Sequence, residues 1–153
     1  KNVVDPDNII ESYGADAARW FMLSDSPPER DLPWSEAGIE GCGRFIQRLW
    51  RLFESADASA SGEDKALARK AYQTIAAVAD DIEALSFNKA VARIYELTRA
   101  AEKAKPSADR NFAIRTILLL VGPMMPHLAE EAWAKAGGQG LIANADCFGH
   151  KSS

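Results

Sequence analysis

Arg44, Arg48 and Arg51 recur at steps of four and three residues, inside a stretch where Ile39, Cys42, Ile46, Leu49 and Phe53 keep the apolar period of a helix. That spacing puts the three guanidinium groups on one side of the helix, opposite the apolar stripe. A guanidinium matches phosphate oxygens through paired N–H donors and stays charged without burial, so such a ridge suits a nucleic-acid backbone. Glu40 stands four residues before Arg44, and an arginine-rich solvated face is the plainer alternative. Lys89, Arg93 and Lys103 make a weaker basic set, interleaved with Glu96 and Glu102.

Other chemistry finds less support. His127-Leu128-Ala129-Glu130-Glu131 lacks the second histidine, one turn on, that a zinc helix needs, so His127 is expected in the first turn of an ordinary helix. Asp80, Asp81 and Glu83 fall on the polar side of a helix, with no apolar pocket to favour a neutral carboxyl, and are expected to be solvated. Gly38, Gly41 and Gly43 lie inside a helical pattern, where glycine permits close helix packing rather than cradling a nucleotide. Cys42 and Cys147 match neither a disulfide framework nor a zinc ribbon and fit a reducing, cytoplasmic setting. No catalytic residue and no metal ligand is therefore expected. Phe45, Trp50, Phe53, Phe87, Phe112 and Trp133 fall on or beside apolar stripes, which makes core packing their expected role, and Trp34 is placed to staple onto the next helix.

The elements that would position the arginines follow from period and punctuation. Asp5-Pro6 opens a helix through Ile9, Ile10 and Tyr13 to Gly14, and a second run from Ala15 to Leu23 turns Ala18, Phe21 and Met22 inward. Ser26 to Pro33 holds three prolines and reads as a loop, after which Ser35 caps the arginine helix. Ala58 to Gly62 is a small, polar linker. From Asp64 the set Leu67, Ala71, Ile75, Val78, Ile82 and Leu85 makes one face, and a helix from Asn88 to Lys103 packs through Val91, Ile94, Leu97 and Ala101. Phe112 to Val121 is apolar nearly all round and belongs mid-bundle. Pro126 begins a last helix that Gly137-Gly138 ends. No period-two pattern competes, so the expected fold is all-α, a bundle of about five helices behind a short helical lead-in. At 153 residues one domain suffices, and a net charge of -4 leaves only a local patch for phosphates. No apolar run approaches the ~20 residues of a membrane span. Lys1-Asn2-Val3-Val4 lacks signal-peptide character and suggests a cut within a longer protein.

Several of these segments resemble leucyl-tRNA synthetases, which are class I aminoacyl-tRNA synthetases. Asn2-Val3-Val4-Asp5-Pro6 and Tyr13-Gly14-Ala15-Asp16 with Arg19 are similar to the stem that follows the K-M-S-K-S loop in the subgroup handling leucine, valine, isoleucine and methionine. Ser26-Pro27-Pro28-Glu29-Arg30-Asp31-Leu32 with Trp34, Gly38-Ile39-Glu40-Gly41, Arg44-Phe45 and Arg48-Leu49-Trp50 resemble the leucine enzymes in particular. Phe87-Asn88-Lys89-Ala90 and Pro123-Met124-Met125-Pro126-His127 through Trp133 resemble later helices of their anticodon-binding-type bundle. The family continues past the counterparts of Ala143 and Ala145 with a Trp-Pro pair and a further tRNA-binding domain, whereas Asp146-Cys147-Phe148-Gly149-His150 stand here.

The resemblance implies a parent enzyme, a cytoplasmic monomer, that ligates leucine to its tRNA through an ATP-derived adenylate with Mg2+, on a catalytic domain preceding Lys1. It implies that residues 1–34 are the stem and 35–140 the bundle; residues 141–153, where the resemblance fails, are expected to be a tail open to disorder. This fragment alone is expected to hold no cofactor and to be inactive, its partners being the tRNA for leucine and the missing catalytic domain. Arg44 and Arg48 match basic positions of the family's tRNA-facing helix, with Arg51 beside them, and backbone contact rather than base readout is the expected mode. A helical protein-interaction adaptor whose arginine ridge meets an acidic partner is the alternative.

Overall fold

Apolar residues repeating at three and four produce six helices and no strand among the described residues: α1 (Pro6–Ser24), α2 (Glu36–Glu54), α3 (Lys65–Glu83), α4 (Phe87–Lys103), α5 (Ala108–Val121) and α6 (Pro126–Lys135). The computed structural model describes residues 6–24 and 36–135, with side chains from 14 and 38 onward in those two spans. Asp5, the loop from Ser26 to Pro33, the Trp34 staple, the Ser35 cap, the Gly137-Gly138 stop, Cys147, His150 and the tail at 141–153 lie outside the described residues, as does the boundary at 34 and 35.

α1 runs unbroken through Gly14, where a break was expected. A glycine within a helix costs only about 1 kcal/mol, and the burial of Ala17, Trp20 and Phe21 that follows it outweighs that. The inward face also has a different phase from the expected one. Trp20 is fully buried while Met22 is 59% exposed, because the i, i+3, i+4 row starts from Ala17 rather than Ala18.

Capping sets the next starts. Asp64 Oδ1 accepts the Leu67 N–H at 3.1 Å at the head of α3, and Ser107 Oγ accepts the Arg110 N–H at 3.0 Å at the head of α5. α5 thus begins a turn before its apolar run, and it packs against α2, α3, α4 and α6, the central position its composition implies. At the bundle end where α2, α4 and α5 meet, Arg110 is buried and acts as a strut. Its Nε donates to the Ala101 carbonyl at 2.9 Å, while Nη2 donates to Ser55 Oγ at 3.0 Å.

Two expectations for α3 fail at its C-terminal end, in its last turn and just beyond. Leu85 does not extend the apolar face: it is 66% exposed, with φ 58, because the chain must reverse there. Asp81 is not solvated either, but buried, and it accepts a hydrogen bond from Arg93 Nε at 2.5 Å. Helical phase sets Asp81 beside the core edge, and Arg93 on α4 supplies the countercharge that lets it stay there.

Candidate nucleic-acid interface

At about 100° per residue, Arg44, Arg48 and Arg51 fall within an arc of about 60° on α2. The opposite arc, through Cys42, Phe45, Ile46, Leu49, Trp50 and Leu52, is buried and fixes which way the arginines face. Packing against α1, α4, α5 and α6 widens this buried arc beyond the single stripe legible from spacing.

The three arginines are not equivalent. Arg44 and Arg51 are exposed, and among the described residues neither takes part in an ion pair. The Arg44 guanidinium lies along the helix near Gly41, whose missing Cβ would stand 3.7 Å from Arg44 Nη2. Arg48 is partly covered. Its Nη2 donates to Glu102 Oε1 at 2.6 Å and its Nε to Oε2 at 3.4 Å, joining α2 to the last turn of α4. That hydrogen bond raises the guanidinium pKa further above its usual value, against the opposing effect of partial burial.

Beneath Arg48 lies an aromatic floor. Its guanidinium carbon sits 5.7 Å from the centre of the Phe45 ring. Phe45 stacks on Trp20 at 5.3 Å and meets Tyr95 at 4.1 Å, and Trp20 Nε1 donates to the Tyr95 hydroxyl at 3.0 Å. Burial pushes the Tyr95 phenol pKa up. α1, α2 and α4 therefore meet directly under the arginine ridge, so the ridge is mounted on core rather than on a loop.

The weaker basic set does not form a second ridge, since Arg93 is engaged by Asp81. Arg99, which spacing on α2 could not reveal, is exposed on α4 three residues before Glu102 and on the same side. Glu102 itself was legible only as an interruption among cations. Its pairing with Arg48, 54 residues away, needed α4 to be set beside α2.

Gly38, Gly41 and Gly43 all lie within α2, as their helical pattern implies. A Cβ at Gly38 would run into the ring of Phe21, which makes this glycine a contact point between α1 and α2. Among the described residues no group of three or more His, Cys, Asp or Glu could hold a metal ion, and no helix is long and apolar enough to cross a membrane. His127 heads α6, as its sequence context implies, with Nδ1 3.1 Å from Asp16 Oδ1.

The family model described as the anticodon-binding domain of tRNA ligase matches residues 64–153. The leucine–tRNA ligase of Novosphingobium aromaticivorans is 77% identical over 145 residues, covering 95% of this chain and 17% of that protein. That of Sphingopyxis alaskensis is 72% identical over 134 residues, 87% of this chain and 16% of the relative. This chain thus spans about a sixth of the length of these curated relatives. Among solved structures, the ternary complex of Agrobacterium radiobacter K84 agnB2 LeuRS with tRNA and LeuAMS superposes with a TM-score of 0.74 at 29% identity, over 93% of this chain and 21% of that one. Free methionyl-tRNA synthetase of Mycobacterium tuberculosis shares the fold, with a TM-score of 0.64 at 21% identity, over 89% of this chain and 35% of that one. With α3 to α6 inside the matched range and the all-helical architecture shared with these enzymes, the chain belongs to the anticodon-binding domain family of tRNA ligases.

Proposed function

We propose that this chain is the tRNA-docking bundle of a leucine–tRNA ligase, holding the RNA by its backbone while leucine is activated with ATP and Mg2+ on a catalytic domain elsewhere in the same protein. The observation that carries this reading is the exposed pair Arg44 and Arg51 on α2, flanking Arg48 above a rigid aromatic floor, in a chain 77% identical to a segment of a leucine–tRNA ligase. The relative solved with tRNA bound supports an RNA partner over the acidic protein of an adaptor. The ridge precedes residue 64, so the family match by itself does not include it. Its role rests on geometry and charge: exposed guanidinium groups on one helix face, without an ion-pair partner among the described residues, recognise a polyanion by position rather than by base identity. The protein then acts as a cytoplasmic monomer.

The test separates docking from chemistry. In the full-length protein, the double substitution Arg44→Ala with Arg51→Ala should raise KM for tRNA by about tenfold, the equivalent of about 1.4 kcal/mol. Leucine-dependent exchange of pyrophosphate into ATP, which needs no tRNA, should not change. An unaltered KM for tRNA, or equal losses in both assays, would overturn the proposal.

A further inference from the structure

Glu102 stands in the last turn of α4, where a carboxylate meets the unfavourable end of the helix dipole. α4 gains nothing from it there. Its two oxygens instead take the Nε and Nη2 edge of Arg48, at 3.4 and 2.6 Å, the same paired donors that a phosphate would use. Both side chains remain about a third exposed, at 38% for Arg48 and 34% for Glu102, so water and salt reach the pair. A pair this exposed is screened by salt and contributes little net stability, so displacing the carboxylate costs little. Phe45 holds the guanidinium from below, fixed in turn by Trp20 and Tyr95, so Arg48 need not move far when its partner changes.

We infer that Glu102 occupies, on Arg48, the place that a phosphodiester of the docked tRNA takes over. Arg44 and Arg51 make the first contact, and Arg48 is released to the RNA only when a phosphate displaces the carboxylate. Glu102 thereby lowers affinity for polyanions in general, since an RNA that cannot reach Arg48 gains nothing from its charge. The inference rests on the docking role proposed above and adds a competitor within the same site.

The experiment is a salt series of filter-binding titrations with tRNA, using the full-length protein and the substitutions Glu102→Gln, Arg48→Ala and both together. Glu102→Gln should tighten binding several-fold at low salt and steepen the slope of log K against log salt by roughly 0.7 to 0.9, the contribution of one further phosphate contact. Arg48→Ala should have a small effect alone and abolish the whole gain when added to Glu102→Gln. Thermal unfolding of each variant checks that the pair is not structural, and unfolding midpoints within a few degrees of the parent are expected. Weaker binding on Glu102→Gln, or a gain that persists without Arg48, would overturn the inference. If Arg44→Ala with Arg51→Ala also leaves binding intact, the docking role itself fails; if that variant weakens binding, only the carboxylate exchange does.

Discussion

The Asp16 carboxylate on α1 accepts the backbone N–H of Leu128 on α6 at 2.7 Å, although 112 positions separate the two residues. Its other oxygen lies 3.4 Å from the His127 N–H and 3.1 Å from His127 Nδ1. Asp16 is 1% exposed, and it caps a helix to which it does not belong. The lead-in helix is thereby tied to the last helix of the bundle. Asp16→Ala should destabilise the chain by about 2 to 3 kcal/mol, combining a lost cap with buried N–H groups left unpaired. Asp16→Asn, which keeps an acceptor, should cost less. Urea denaturation of the two variants measures the difference, and equal losses would mean that the capping geometry is not the source.

Leu85 has a left-handed backbone and a solvated side chain, so its side chain contributes strain without packing. Leu85→Gly should stabilise the chain by about 1 kcal/mol, since glycine adopts that conformation without steric penalty. An unchanged or lower urea midpoint would contradict the conformation assigned to this turn.

Two helical glycines should respond in opposite directions. A Cβ at Gly38 meets the buried ring of Phe21, while a Cβ at Gly14 meets nothing within 4 Å. Gly38→Ala should therefore destabilise by about 1 to 2 kcal/mol through overpacking, despite alanine's better helix propensity. Gly14→Ala should stabilise by up to about 1 kcal/mol. Thermal denaturation of both variants checks the packing of α1 on α2.

Tyr95 gives the floor under Arg48 a pH signature. Its pKa is raised from the ordinary value of 10.0 by burial, so the fold favours the neutral phenol. The sign follows from linkage: the associated stability is complete below about pH 10 and is lost as pH rises through the folded-state pKa. As pH rises above about 10 the parent chain should lose more stability than Tyr95→Phe, which cannot ionise. Parallel pH profiles would show that the hydroxyl is not buried as described.

Period and punctuation made the helices legible because they are local. The apolar face that begins after Asp64 is a helix, and the run from Phe112 to Val121 lies where a segment without a polar face must. What escaped depended on neighbours. The phase of α1 follows from Trp20 packing between Phe45 and Tyr95, and neither partner lies on α1. Asp81 is buried because Arg93 on α4 accompanies it, and Arg110 reaches Ser55 across 55 positions. In the arginine ridge, spacing gave the shared face of Arg44, Arg48 and Arg51, but only tertiary structure could place Glu102 against the middle one.

The docking role proposed for α2 rests on exposed positive charge meeting an RNA backbone, and counterion release measures this most directly. The slope of log K against log salt for tRNA binding to the full-length protein should become shallower by roughly 1.4 to 1.8 when Arg44 and Arg51 are both replaced by alanine, two phosphate contacts being lost. Affinity at low salt should fall with it. Parallel salt dependences for the parent and the double variant would contradict the account.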